Sequence, residues 1–288
     1  MPAPERLPAP GVNTTGEREV LLAKGELTVV GRISGASNAV LLCTVEHGGT
    51  SIDCVYKPVK GERPLWDFPD GNLARREVAA YLISEATGWG LVPPTVLRDG
   101  PYGEGMVQQW IDSGGAAGTG GSGSSPDADG LLALVDGEEA GEGWKPVALA
   151  DTGEGRTALL VHADDPRLRR LAVLDAVINN GDRKGGHLLA APDGRLYGID
   201  HGVTFHVEDK LRTLLWGWAG EPLTDEARGV LADLQRQIAA GAPLATRLAE
   251  LITPAELAAV RARVARLLRT GEHPKPSGQW PSIPWPPV

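Results

Sequence analysis

Two aspartates, Asp182 and Asp200, are the residues of this sequence whose types and setting best suit chemistry. Asp182 opens the polar, glycine-containing run DRKGGH, and Asp200 lies in the short run IDHG. Two carboxylates at one site can divide the work of phosphoryl transfer, since one orients an attacking hydroxyl and the other holds the divalent metal that neutralises a triphosphate. The pair therefore predicts a phosphoryl-transfer site, provided that the fold brings the two carboxylates together.

The segments beside the two aspartates predict how they are positioned. Apolar residues at helical spacing predict a helix that ends in the polar run just before Asp182. Two short apolar runs, residues 188–190 and 195–199, flank a Pro-Asp-Gly turn and predict a β-hairpin that leads directly into Asp200. The two carboxylates would then lie at the ends of elements one hairpin apart.

The first third of the chain supplies candidate phosphate-binding residues. The loop of residues 34–38 lies between two predicted strands, and its small side chains would let backbone amides and hydroxyls approach phosphate oxygens. An ordinary hairpin turn is the alternative. Lys57 lies on the next alternating strand, and Glu77 lies in a helix predicted over residues 73–87. We expect Glu77 to hold Lys57; a solvated lysine at a strand end is the alternative.

In their order along the chain, these features resemble the phosphatidylinositol 3-/4-kinase-related branch of the protein-kinase-like fold, in the form of a small bacterial-type member. DRKGGH resembles the D-R-x-x-x-N motif of that family, with His187 where the family has Asn. IDHG resembles its D-F-G motif, with His201 in place of Phe. The hairpin, the lysine strand and the glutamate helix also follow each other as in the family, so the resemblance covers roughly residues 26–202.

The resemblance implies an α+β, two-lobed protein-kinase-like fold, with an antiparallel β-rich N-lobe and a mainly helical C-lobe. We expect a flexible N-terminal arm at residues 1–16, followed by the N-lobe at residues 17–112. A Gly/Ser-rich linker at residues 113–130 then leads to the C-lobe at residues 131–272 and a Pro/Trp-rich tail at residues 273–288. Residues 131–163 carry no clear secondary-structure signal apart from a turn suggested at residues 144–146, and we expect them to be poorly ordered.

The resemblance also implies that ATP binds between the lobes together with Mg²⁺ or Mn²⁺. Its phosphates would contact the loop residues Ser34, Ser37 and Asn38, and Lys57 held by Glu77. The hinge that reads the adenine would be formed by Gln109, Trp110 and Ile111.

The same resemblance implies the catalytic roles. Asp182 would orient or deprotonate the acceptor hydroxyl, and Lys184 would stabilise charge on the moving phosphoryl group. Asp200 would hold the metal. His187 would either ligate the metal or only orient an aspartate, because neutral imidazole is a poor ligand for Mg²⁺ and suits softer ions better. Asp175, inside the helix before Asp182, is expected to have a structural role in this loop.

The predicted activity is that of an ATP-dependent phosphotransferase, a kinase, with the acceptor left open. A lipid headgroup, a protein, the chain itself at the serines of its linker, and a small polyol are all compatible with the sequence. The alternative is a nucleotide-binding pseudokinase that acts as a regulatory or scaffold module. A third hypothesis is the transfer of AMP by a kinase-like fold that binds the nucleotide inverted.

Composition and the remaining sequence features indicate the partners and the location to expect for this protein. The chain has 288 residues and a net charge of −9, which argues mildly against nucleic acid as a partner. No apolar run is long enough for a transmembrane segment and no signal peptide is evident, so we expect a cytoplasmic location. Cys43 and Cys54 are expected to be buried and reduced. The tail would lie across the fold with Trp280 and Trp285 as anchors, or would bind a protein partner.

Overall fold

The computed structural model describes residues 15–33, 38–68, 71–112, 130–151 and 157–287. Its N-terminal part is an antiparallel five-stranded sheet with the strand order β1-β2-β3-β5-β4. One helix precedes the sheet and a second follows its third strand. The elements are α1 (Thr15–Lys24), β1 (Glu26–Arg32), β2 (Leu41–His47), β3 (Thr50–Pro58), α2 (Leu73–Thr87), β4 (Thr95–Gly100) and β5 (Gly103–Gln109).

Alternation along β3 determines which side chains enter the core of the sheet. Cys54 and Tyr56 are fully buried, and Lys57 points to the opposite face. Cys43 on β2 lies directly opposite Cys54 in the strand register. Both cysteines are buried free thiols, as expected from the sequence.

Local signals define the limits of α2. The Asn72 side chain accepts a hydrogen bond from the Arg75 backbone N–H, and Gly88 ends the helix in the left-handed conformation at φ 70°. The carboxylate of Glu62 accepts two further bonds from the first free N–H groups of the helix, those of Leu73 and Ala74. The helix that carries Glu77 therefore begins and ends at fixed positions.

Residues 131–163 form an antiparallel three-stranded sheet with the order β6-β8-β7, so the expectation of poor order there is wrong for the part that the structure describes. Its strands are β6 (Leu132–Asp136), β7 (Trp144–Asp151) and β8 (Thr157–Ala163). The turn expected at residues 144–146 is instead the start of β7, where Trp144 pairs with Ala163. Pro146 adjoins an irregularity in the register, a position that tolerates its missing N–H.

The remaining elements are mostly helical and carry the largest apolar core, which also includes residues 79–83 of α2. The elements are α3 (Pro166–Ile178), β9 (Leu188–Ala190), β10 (Leu196–Gly198), α4 (Asp225–Gln237), α5 (Pro243–Ala249) and α6 (Pro254–Thr270). Strands β9 and β10 form the predicted hairpin. The predicted α+β class is confirmed. Among the helices of the described ranges, none is long and apolar enough to cross a membrane.

Candidate active site

A cavity of about 460 Å³ lies where the five-stranded sheet and α2 face the loops that follow α3 and β10. It brings together most of the charged residues that the sequence singles out. Its wall includes Asn38, Lys57, Glu77, Asp182, Lys184, His187 and Asp200. The structure therefore collects, at one site, residues from both halves of the chain.

Lys57 connects the two halves. Its Nζ lies 2.7 Å from Glu77 Oε1 and 2.8 Å from Asp200 Oδ1. Burial by itself lowers the pKa of the Lys57 ammonium, but the carboxylates of Asp200 and Glu77 outweigh that effect, so the net pKa of Lys57 is raised. Lys57 is therefore a fixed positive charge in the cavity, and the predicted pair with Glu77 is present.

Asp200 is held in an unusual backbone conformation. Its φ of 61° lies in the left-handed region, which non-glycine residues seldom adopt. The Lys57 ammonium lowers the pKa of the Asp200 carboxyl, so this side chain is ionised at neutral pH. Asp200 Oδ2 lies 3.4 Å from Nε2 of His187, and the Asp200 side chain is half exposed to the cavity. The free face of this carboxylate is available to a cation.

His201, the neighbour of Asp200, is fully buried. Its backbone N–H donates a hydrogen bond to Glu77 Oε2 at 2.8 Å, and its Nε2 lies 2.6 Å from Nη2 of Arg183. Burial and the adjacent guanidinium keep the pKa of His201 well below its usual value, so the ring is neutral and Nε2 accepts from Arg183. Both contacts of His201 hold the turn that carries Asp200.

Arg183 fixes the loop between α3 and β9, and its importance was missed from the sequence. The fully buried guanidinium contacts both carboxylate oxygens of Asp175, at 2.9 and 3.0 Å, and donates to the Ile199 carbonyl at 3.0 Å. A buried arginine needs such partners, because an unpaired charge in the core is costly. Asp175 thus has a structural role, as expected. The sequence signal for Arg183 is its match to the Arg of the D-R-x-x-x-N motif.

Asp182 lies between two cations. Its Oδ2 is 3.3 Å from Lys184 Nζ, and its Oδ1 is 3.7 Å from Nη2 of Arg212. Its backbone N–H donates to Asn180 Oδ1 at 3.0 Å, which orients the start of the loop. Arg212 was not predicted, because its segment follows the second motif and carries no motif of its own. Asp182 and Lys184 line the cavity, and Arg212 lies beside the other oxygen of the same carboxylate.

Asp200 and His187 are the residues that could hold a divalent metal. Burial lowers the pKa of His187, so its imidazole is a neutral donor near neutral pH. In the described ranges, no group of three or more His, Cys, Asp or Glu side chains has the arrangement of a metal site. One carboxylate and one imidazole fit a metal whose other ligands come from a nucleotide and water, and this mixed donor set suits Mn²⁺ better than Mg²⁺.

The other predicted nucleotide-binding residues are placed as follows. Ser34 and Ser37 lie outside the described residues. Asn38 lines the cavity, and its Oδ1 accepts from the Arg63 N–H at 2.9 Å. Gln109 ends β5 and binds Arg18 of α1 through Oε1 at 3.1 Å. Trp110 and Ile111 follow Gln109 directly, and the described wall of the cavity includes none of these three residues. Their adenine-binding role stays a prediction.

The tail lies across the fold beside the loop that carries Asp182. The Ser282 carbonyl accepts from Trp216 Nε1 at 2.8 Å, and the Pro287 carbonyl accepts from the Gly185 N–H at 2.9 Å. Trp280 contacts a lysine, with Lys210 Nζ 4.5 Å from its ring centre. The expectation that Trp285 also anchors the tail is wrong. Its side chain is 85% exposed, because the neighbouring Pro284 takes the buried position.

Comparison with known proteins gives one clear relative. Protein Rv2133c of Mycobacterium tuberculosis is 51% identical over 270 residues, and the match spans 94% of this chain and 95% of the relative. No protein-family model matches the chain.

Solved structures similar to this one include a kinase, the Golgi casein kinase. The Golgi casein kinase has a TM-score of 0.52 at 15% identity, with 89% of this chain and 74% of that chain covered. The same kinase with Mn and ADP bound has a TM-score of 0.51 at 15% identity, with 89% and 75% covered. Fam20 of hydra, solved with a sugar, has a TM-score of 0.51 at 14% identity, with 90% and 89% covered. These likenesses establish the protein-kinase-like fold, and the finer resemblance to phosphatidylinositol 3-/4-kinases stays a prediction.

Proposed function

This chain belongs to the same family as Protein Rv2133c of Mycobacterium tuberculosis, and we propose that it is an ATP-dependent phosphotransferase, a kinase, with a hydroxyl compound as acceptor. The observation that carries the proposal is the contact of Lys57 with both Glu77 and Asp200, in a cavity that Asp182 also lines. Lysine, helix glutamate and two aspartates are the groups that kinases use to position a triphosphate and an acceptor.

The nucleotide would be held by residues of both lobes. Lys57, fixed by Glu77, would pair with phosphate oxygens, and the loop that includes Ser34, Ser37 and Asn38 would cover the phosphates. The hinge that binds the adenine would be formed by Gln109, Trp110 and Ile111. These residues lie at the end of the proposed N-lobe, residues 17–112, just before the proposed linker and C-lobe.

Asp200 would hold Mg²⁺ or Mn²⁺, with His187 as a second ligand. When bound, the metal would neutralise negative charge on the phosphates. Because Asp200 is already ionised and His187 is neutral, neither side chain needs to release a proton before binding a cation.

Asp182 would align the acceptor hydroxyl and accept its proton as the hydroxyl oxygen bonds to the γ-phosphorus. The bond between the γ-phosphorus and the bridging oxygen breaks, and ADP leaves with that oxygen. Lys184, whose Nζ lies 3.3 Å from Asp182, would stabilise negative charge on the phosphoryl group as it moves. Asp182 then returns its proton to solvent.

The acceptor remains a lipid headgroup, a protein, the chain itself or a small polyol. The exposed Trp285 on the docked tail is where a protein partner would find an aromatic contact. A pseudokinase is the second candidate function, and it is favoured by one observation, the presence of His187 where kinases of the resembling family have Asn.

The test is incubation of the purified protein with γ-labelled ATP and either Mg²⁺ or Mn²⁺, beside Asp182→Asn and Asp200→Ala. We expect labelled protein or released phosphate from the wild type and neither from the two variants. Asp193→Asn is the matched control, because Asp193 lies exposed on the turn between β9 and β10 with Arg195 as its partner.

Other outcomes identify the alternatives. ATP binding without turnover in either metal would leave two explanations, a missing acceptor or the pseudokinase. Adenylate on the product would indicate AMP transfer. If Lys57→Ala and Asp200→Ala both left nucleotide binding unchanged, the kinase proposal would be wrong.

A further inference from the structure

Arg212 is anchored to the loop that carries Asp182. Its Nε donates to the Gly181 carbonyl at 2.7 Å, and its backbone N–H donates to the Asn180 carbonyl at 2.9 Å. Its own carbonyl accepts from the Arg183 N–H at 3.0 Å. These bonds lie directly before and after Asp182 in the sequence, so the position of the guanidinium is coupled to that of the carboxylate.

The outer edge of the Arg212 guanidinium is unused. Within the ranges that the structure describes, neither Nη1 nor Nη2 donates a hydrogen bond, since the 3.7 Å from Nη2 to Asp182 Oδ1 is too long for one. The side chain is 27% exposed, enough to be reached from solvent. Two parallel N–H donors at a fixed spacing match the oxygens of a carboxylate or a phosphate.

Asp182 has two cationic neighbours, although one would be enough to balance the charge of its carboxylate. Lys184 Nζ already lies 3.3 Å from its other oxygen, so Arg212 adds a second cation. The nearby Lys210 adds nothing, because Asp67 neutralises it at 2.9 Å. Beside Asp182 there are thus two cations for one carboxylate. A neutral hydroxyl compound gives no reason for the second cation.

We propose that Arg212 binds an anionic group of the acceptor, and that the acceptor is therefore a hydroxyl compound bearing a phosphate or a carboxylate a few bonds from its reacting hydroxyl. This inference rests on the proposed function, in which Asp182 receives the hydroxyl. Lys184 is then free to act on the transferred phosphoryl group, and Arg212 selects the acceptor.

Three matched three-carbon compounds test the proposal: glycerol, glycerate and glycerol 3-phosphate. Each is titrated calorimetrically into the full chain with Mn²⁺ and a non-hydrolysable ATP analogue. We expect at least one anionic compound to bind about 10-fold or more tightly than glycerol, as one charge-assisted bidentate contact allows. Comparison of glycerate with glycerol 3-phosphate distinguishes carboxylate from phosphate. With γ-labelled ATP, the label should pass to the preferred anionic compound.

Variants assign the preference to Arg212. Arg212→Gln should remove the preference for the anionic compound. Arg212→Lys keeps the positive charge but lacks the two parallel N–H donors, so it should retain part of the preference. Arg195→Gln should keep the preference, because Arg195 is an exposed partner of Asp193 on the β9–β10 turn. Melting curves show whether each variant is folded.

Wild-type titrations alone can overturn the proposal, whatever the variants do to folding. Equal binding of all three compounds, or binding of none while the ATP analogue binds, would refute it, and so would a preference that Arg212→Gln leaves intact. Failure of the proposed function is a different result, in which the wild type does not bind the ATP analogue.

Discussion

Glu77 accepts a hydrogen bond from the backbone N–H of His201 across 124 positions of sequence, at 2.8 Å. Its other carboxylate oxygen binds Lys57. One side chain on α2 thus connects the β3 lysine with the turn that carries Asp200. Because Glu77 is only 2% exposed, water cannot replace either partner. The position of α2 and the conformation of the Asp200 turn are therefore coupled.

Replacing Glu77 tests this coupling. Glu77→Gln keeps the size and one acceptor but removes the charge opposite Lys57, so we expect a loss of about 1–3 kcal/mol in the free energy of unfolding and a fall of about 10-fold in turnover. Urea unfolding and phosphate release measure the two effects. Glu85→Gln, on the same helix but outside the cavity wall, is the control. Equal effects of the two variants would contradict the coupling.

His187 sets the metal preference if it is a ligand. Replacing its imidazole with the amide oxygen donor of His187→Asn should lower the affinity for Mn²⁺ in a titration followed by electron paramagnetic resonance. The ratio of Mg²⁺-supported to Mn²⁺-supported turnover should rise several-fold. His47→Asn, at the exposed last residue of β2, should change neither. An unchanged metal preference in His187→Asn would mean that His187 only orients Asp200.

His162 makes the fold sensitive to acid. Burial lowers its pKa from 6.5 to about 4, and its Nε2 accepts a hydrogen bond from the Gly217 N–H at 3.0 Å. Between pH 6.5 and about 4 the unfolded chain binds a proton that the folded chain does not, so stability falls as the pH falls through this window. The loss attributable to His162 is of order 3 kcal/mol.

Denaturant unfolding at pH 7 and at pH 4.5 measures this effect. His162→Gln keeps a hydrogen-bonding side chain without a titrating ring, so the difference in unfolding free energy between the two pH values should shrink. His47→Asn, which alters an exposed histidine, should leave that difference unchanged. A wild-type pH dependence in His162→Gln would assign the acid sensitivity to other groups, such as His273, whose pKa burial also lowers to about 4.

Variants of Trp216 and Trp285 test which contacts hold the C-terminal tail on the fold. Trp216→Phe removes the N–H that binds the Ser282 carbonyl, so we expect a loss of about 1 kcal/mol and faster hydrogen exchange in residues 280–287. Because the Pro287 carbonyl accepts a hydrogen bond from Gly185, in the loop that carries Asp182, turnover should fall as well. Trp285→Phe, at an exposed position, should leave exchange and turnover at wild-type values. Unchanged exchange in Trp216→Phe would show that this bond does not hold the tail.

Local signals were enough to predict much of the fold. The helix predicted over residues 73–87 is α2, which the structure caps with Asn72 and Gly88, and α6 begins at a capping box of Thr253 and Glu256. Each signal acts within a few residues of the backbone groups it satisfies. The predicted contact between Lys57 and Glu77 is also present.

The three-stranded sheet could not be predicted in this way. Strand β7 carries Lys145 and Pro146 near its start, and these residues do not favour a strand by themselves. Its stability comes from pairing with β8, and pairing between strands depends on partners that local propensity does not report.

The sequence by itself determined the chemical groups of this site, their order and the elements that carry them. Only the tertiary structure decided that Lys57 reaches Asp200 as well as Glu77, that Arg183 is buried on Asp175 and His201, and that Arg212 lies beside Asp182. The physical reason is that charged groups removed from water take their partners from whichever segments pack against them. Those segments are distant in sequence, and they meet only when the chain folds.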